Sequence, residues 1–263
     1  MAGSLSDYLE DKLLDHVLKN TSYDQPTNLY VALWIGDPTD IGTGGAEVSG
    51  GSYARVICNT WDGAASRATA NTGAIEFAEA TADWGTVTHF AIWDDISAGN
   101  MIAHGSLTAS KSIGTGDNAS FAIGDIDISF NAGGITDLLA NKLLDHVFKN
   151  TAYTQATNLY IALFTSSPTD TGEAGTEVTG GSYARDPNDT WDGASSGASQ
   201  NTAAIEFITA TAAWGTVTHF TVSDHLSTLA AHQLLWGTLD TSKAIGNGDT
   251  AKFDTGALDI TLD

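Results

Sequence analysis

The chain has little with which to cross-link, to bind polyanions or to cross a bilayer. One cysteine, Cys58, in 263 residues excludes an intramolecular disulfide framework and any multi-cysteine zinc knuckle, so stability has to come from packing or assembly. Basic residues are scarce: 10 Lys and Arg stand against 32 Asp and Glu, for a net charge of −22. No basic cluster offsets this, and a phosphate backbone repels such a surface, which excludes direct nucleic-acid binding. No apolar run approaches the roughly 18–20 residues that span a bilayer. The opening MAGSLSDYLEDK has neither the basic nor the apolar region of a signal peptide. Neither a membrane span nor a signal peptide is expected.

Catalytic signatures are missing as well. There is no HExxH, no paired cysteine and no two-histidine-one-carboxylate spacing. No Gly-x-Ser-x-Gly elbow occurs; GGSYAR, present twice, places Ser52 and Ser182 after two glycines without a following helix, which reads as a tight turn feeding a strand. GTGGAEV and SIGTGDN lack the lysine-serine pair of a phosphate loop. Carboxylates are abundant, and paired acids can hydrolyse glycosides or bind calcium. However, Asp37, Asp95 and Asp125 in the first half become Ser167, His225 and Ala257 in the second, so solvated loop acids are the better reading. No catalytic, cofactor or metal residue is assigned, and a non-enzymatic protein is expected.

What the chain does have is a globular composition, 42% apolar and 16% charged, and a tandem duplication. With an offset of 130, KLLDHVLKNTSY faces KLLDHVFKNTAY, TNLYVAL faces TNLYIAL, EVSGGSYAR faces EVTGGSYAR, TWDGA faces TWDGA and WGTVTHF faces WGTVTHF. Beyond WGTVTHF the offset becomes 132, because SDHLSTLAAHQLLWG carries two extra residues. The boundary is expected at Asn131-Ala132-Gly133-Gly134, giving domains 1–131 and 132–263.

Each copy should open with one amphipathic helix. In LSDYLEDKLLDHVLKN, Leu5, Tyr8, Leu9, Leu13, Val17 and Leu18 recur at helical spacing, and acids fill the remaining face. Ser4 or Ser6 can cap its start, and Lys19-Asn20 suits its end. The rest reads as short strands: NLYVALWI, SYARVIC, AIEF, VTHFAIW, NMIAHGSL, NASFAI and DIDISF. The fold class is therefore mainly β, two tandem antiparallel β-sandwich or jelly-roll-like domains, each with one N-terminal α-helix. NLYVALWI is apolar on both faces and is expected to be covered twice, by the opposite sheet and by the helix.

By strand parity Phe90 and Ile92 face the core, whereas Val87, His89, Ala91 and Trp93 share the opposite face. His89 and its match His219 thus point outward, as packing residues under the helix or toward a neighbouring subunit. His16 and His146 end the helix pattern and favour its C-terminal dipole. Trp61, Trp191, Trp93, His89 and His219 are the interface candidates. If Trp61 and Trp191 were exposed they could instead stack on sugars, the basis of an alternative lectin-like, glycan- or receptor-binding reading.

The string formed by the LSDYLEDKLLDHVL helix, LYVAL with PTD, EVSGGSYAR, AIEF, WGTVTHFAIWD and a terminal GDIDI strand resembles small virion structural proteins of tailed bacteriophages, often labelled tail fibre proteins. That resemblance covers nearly the whole chain and implies no catalytic residues or cofactor. It implies a virion structural protein made in the host bacterial cytoplasm, a capsid-decorating or tail-fibre/adaptor component. Its partners would be other capsid or tail proteins and further copies of itself in a homo-oligomer. Most such proteins look like a single unit, so the tandem arrangement is a departure.

Overall fold

The computed structural model describes residues 2–227 and 231–262; residues 228–230 of the second repeat's insertion lie outside the described residues. Helix α1 spans Asp7–Leu18 and helix α2 Asp137–Phe148. Ser6 and Thr136 cap them, each hydroxyl accepting the backbone N–H three residues on, which satisfies a donor that the helix leaves without a partner. Each helix ends where an asparagine, Asn20 or Asn150, turns into the left-handed region.

The body of each repeat is a sheet built on the same three strands. In the first, Tyr30–Ile35 pairs antiparallel with Gly85–Trp93, which pairs antiparallel with Met101–Ile113. In the second, Tyr160–Phe164, Gly215–Ser223 and Gln233–Ile245 repeat the arrangement. All seven expected strand segments of the first repeat contain a strand. Ala2–Leu5, not read from the sequence, joins that sheet antiparallel to Met101–Ile113 and parallel to Asp127–Ser129. It makes the one parallel pair among the described strands. At its match in the second repeat only a single bridge, Ile135 to Leu235, remains.

Val31, Leu33, Phe90 and Ile92 line the inner face and pack with Leu9 and Leu13 of α1. The opposite face carries a small separate cluster of Ala32, Trp34, Ala91 and Met101, with Trp93 against it. The helix therefore lies on the core side of the sheet. The outer side is closed by the loop after Ile35, where the Trp34 indole donates to the Gly44 carbonyl at 2.8 Å. Val87 also departs from simple parity: it is buried in the core with Phe90. The ladder shifts between Val87 and His89, where Thr88 stands opposite the four residues Leu107–Ser110, and such a bulge resets which face a side chain meets.

The repeated motifs clasp one another. Gly50, Gly51 and Ser52 are consecutive left-handed residues, with φ of 73°, 53° and 67°. The turn presents the Gly51 carbonyl to the Trp84 indole N–H at 2.9 Å. Gly181 and Trp214 do the same at 3.0 Å. Downstream in the same motif, Arg55 lays Nε and Nη2 on the Glu47 carboxylate at 2.9 and 2.8 Å, and the Tyr53 hydroxyl donates to Glu47 and accepts the Leu33 N–H. Burial and the neighbouring Glu47 carboxylate push the Tyr53 hydroxyl far above its usual pKa, so it stays protonated and donates. Arg185, Glu177 and Tyr183 repeat the set.

A Cβ at Gly51 would sit 2.9 Å from Ala82, and one at Gly181 2.9 Å from Ala212, in a backbone region that side chains avoid. Gly51→Ala and Gly181→Ala are each expected to destabilise the protein by about 1–3 kcal/mol. Urea unfolding of the two single variants checks this, with neither falling within error of the unsubstituted chain.

Candidate functional site

The densest arrangement of polar and aromatic side chains lies between the two repeats. Helix α1 packs against its own Met101–Ile113 strand and against Ala198–Gln200 of the second repeat, while α2 packs against Gln233–Ile245 and against Ala68–Ala70 of the first. Both helices are buried on two sides. Leu9, Glu10, Leu13, Leu14, His16, Val17 and Leu18 are all buried in α1, and one continuous hydrophobic core runs through both repeats.

The contacts are reciprocal. Asp15 Oδ1 accepts the Ala194 N–H at 3.0 Å, and its match Asp145 Oδ1 accepts the Ala64 N–H at 2.8 Å. Asp11 Oδ1 accepts from Gly197 at 2.8 Å, and Asn141 Oδ1 accepts from Arg67 at 2.9 Å. Residue i of one repeat meets residue j of the other and the converse holds, which is the pattern of a twofold, isologous contact.

At the centre His16 and His146 stack with ring centroids 5.0 Å apart and planes 18° from parallel. Each is 2% exposed. Their Nδ1 atoms accept the backbone N–H groups of Tyr23 and Tyr153 at 3.1 Å, so the proton of each neutral ring sits on Nε2. From there His16 donates to the Tyr153 carbonyl at 3.0 Å and His146 to the Tyr23 carbonyl at 2.9 Å, both across the contact. On His146 a second proton would have to enter at an Nδ1 that already faces the Tyr153 N–H. Burial holds His146 below its ordinary pKa of 6.5; the bond to Tyr23 pulls upward, the His16 ring adds to the lowering, and Asp24 raises it.

The symmetry is broken most sharply around Arg67. Arg67, itself left-handed, puts Nη1 2.7 Å from Asp170 Oδ2 and Nε 3.6 Å from Asp137 Oδ1 of the second repeat. Its match is Gly197, where a Cβ would lie 2.3 Å from Glu10 Oε2. The residue matching Glu10 is Ala140.

Of the sequence candidates, Trp61 lies in this contact: its ring packs on Phe148 of the other repeat, 4.8 Å between centroids. Trp61 and Trp191 are each 5% exposed, which removes the exposed indoles on which the sugar-stacking reading stood. Their N–H groups go to the carbonyls of Cys58 and Asn188. Trp93 lies elsewhere, on the outer sheet face, stacked on Trp34 and covered by the Arg55 guanidinium 4.1 Å from its centroid. His89 and His219 are half-buried on strands and each shares a 2.8 Å hydrogen bond with the preceding threonine; burial lowers the His219 pKa. Asp11 and Asp15, which build the contact with His16, were read only as filling the helix face beside the apolar stripe, and His16 as a dipole partner. The available signal was Leu14, an apolar residue outside the single stripe, kept as Leu144.

Each repeat also carries an open groove in the same place. The first, about 460 Å³, is lined by Leu33, Val87, Lys111 and Phe121 among others. The second, about 760 Å³, is lined by the matching Leu163, Val217, Lys243 and Phe253. Among the described residues no group of three or more His, Cys, Asp or Glu is arranged to hold a metal ion, and no helix is long and apolar enough to cross a membrane.

A family model described as podophage GP4 fiber I protein gp80 matches the chain twice, over residues 4–129 and 134–261. No curated protein matches it.

A histidine held below its ordinary pKa in the fold binds fewer protons there than when unfolded. Its contribution is full above about pH 6.5 and is lost as pH falls through that value toward the lower folded pKa. The urea midpoint is expected to fall between pH 7.5 and pH 5.5, and His146→Gln should flatten that dependence. An unchanged slope in the variant would refute the assignment. Trp61→Ala is expected to cost about 3–5 kcal/mol, more than Trp93→Ala, by the same urea measurement.

Proposed function

The chain belongs to the podophage GP4 fiber I protein gp80 family, and from that premise we propose that it is a non-enzymatic structural component of the phage virion, acting as a fibre or adaptor subunit. The observation that carries this reading is that the family match falls on both repeats and together covers nearly the whole chain. Capsid decoration is the less favoured placement, since the family description names a fibre. The protein is then made in the host bacterial cytoplasm and incorporated into particles through contacts with other virion proteins and with further copies of itself.

The use of the reactive side chains supports this reading. Arg55 and Arg185 are tied to Glu47 and Glu177, the Tyr53 and Tyr183 hydroxyls to the same carboxylates, and His16 and His146 to backbone groups on both ring nitrogens. A group whose hydrogen-bonding capacity is consumed by packing holds shape rather than turning over a substrate. Trp93, His89 and His219 remain the candidates for contacts with neighbouring virion subunits. A net charge of −22 keeps the unassembled protein dispersed and favours partners with basic docking faces.

Imaging of particles from the encoding phage, with and without the gene, tests this. Loss of density at the tail or its fibres, with filled and intact heads, is the expected result. Density spread regularly over the head would assign capsid decoration instead, and particles unchanged by the deletion would overturn a virion role.

A further inference from the structure

We propose that the two repeats are unlike partners: the α1 face of the first is fitted to the second and pairs with it in preference to another copy of itself, with or without the hinge.

Three observations converge on this. First, among the described strands every ladder joins segments of the same repeat, so nothing is exchanged between the repeats and their contact is a surface. Second, the connecting residues 131–133 are exposed, and among the described residues the hydrogen bonds of Gly133 and Gly134 stay within the second repeat: Trp236 N–H to the Gly134 carbonyl, Ile135 N–H to the Gly133 carbonyl and Gly133 N–H to Asp170. The hinge holds the repeats near each other, and its own hydrogen bonds do not cross the contact. Third, the paired positions have diverged in opposite directions. Where α1 carries Glu10, the facing residue is Gly197, where a Cβ would displace the Glu10 carboxylate and sit 3.0 Å from the Leu262 carbonyl; where α2 carries the fully buried Ala140, the position matching Gly197 is Arg67. Large faces small on one side and small faces large on the other.

A like pair loses this fit. Two first repeats would set Arg67 against Glu10 at both sites: the guanidinium would keep carboxylates to reach, since Asp7 and Asp40 match Asp137 and Asp170, but its side chain would have to displace the Glu10 carboxylate that lies where a Cβ at Gly197 would sit. Two second repeats would set Gly197 against Ala140 at both sites, without the Arg67 guanidinium that reaches Asp137 and Asp170. The Trp61 to Phe148 ring contact has the same character, because the residue matching Phe148 is the smaller Leu18. Discrimination of this kind works by placing crowding and unfilled space in the wrong pairs. In the intact chain the short hinge raises the effective concentration to the millimolar range, which makes pairing within one molecule dominant as well.

The test begins with the full chain carrying a protease site between Gly133 and Gly134. After cleavage of the folded protein, native mass spectrometry is expected to show one species with the mass of the intact chain plus the water of hydrolysis. Unfolding and refolding the cleaved sample should return first-plus-second pairs at least about tenfold in excess of like pairs. Separation of the cleaved repeats at micromolar concentration overturns the proposal, and so does a statistical mixture of pairs. A cycle with Glu10→Ala and Gly197→Ala isolates the fitted pair: Gly197→Ala should weaken association less once Glu10 is alanine, the backbone strain being common to both backgrounds. Equal weakening in the two backgrounds would show that residue 197 is glycine for its dihedral alone, and would overturn the size match.

Discussion

A helix can be buried on two opposite sides only if every polar atom on it finds a partner, because an unsatisfied buried donor or acceptor costs about 1–3 kcal/mol. That constraint shapes the whole molecule. Asp11 and Asp15 satisfy it by receiving backbone N–H groups from the other repeat, and His16 by using both ring nitrogens. Ser6 satisfies it at the helix start. Once α1 and α2 are held in this way, the sheets they cover, the aromatic cluster beneath and the twofold relation between repeats follow from one shared core.

The motifs kept in both repeats have a second, more local explanation. GGSYAR and WGTVTHF are distant in sequence and adjacent in space, joined by an indole-to-carbonyl bond and by the absence of a Cβ at Gly51 and Gly181. The serine that follows the two glycines is a turn residue. The histidine of WGTVTHF is a strand residue satisfied by its neighbouring threonine, and the tryptophan that opens the motif is its anchor.

Much of this was legible in the residues alone. The duplication, the two helices, the inward Phe90 and Ile92, and the three strands that carry each repeat's sheet follow from periodicity and from self-comparison, whereas Ala68–Ala70 does not. The rest turned on information that period-two and period-3.6 patterns do not carry. Parity placed Val87 beside His89 because it assumes an unbroken ladder, and the shift at Thr88 depends on a partner strand twenty residues away. The acids of α1 were placed on the face beside the apolar stripe, and polarity on a helix reports solvent only when no second surface covers it. Trp61 was read as a contact residue, but nothing in one copy's sequence says that the surface it meets is the other copy. Ala2–Leu5 was not read as a strand because Leu5 falls in register with the helical stripe that follows it.

The single covalent chain also alters what a mutation does. In a symmetric dimer encoded by one short gene, every substitution at the contact is expressed twice, so an unfavourable step is doubled and a large residue must fit against itself. Here a change such as glycine to arginine at position 67 or 197 strikes one side only, while the opposite side keeps its original fit. The hinge thereby permits stepwise drift of the two faces, and the pairing of Arg67 with Ala140 and of Gly197 with Glu10 is the kind of asymmetry that such drift leaves behind.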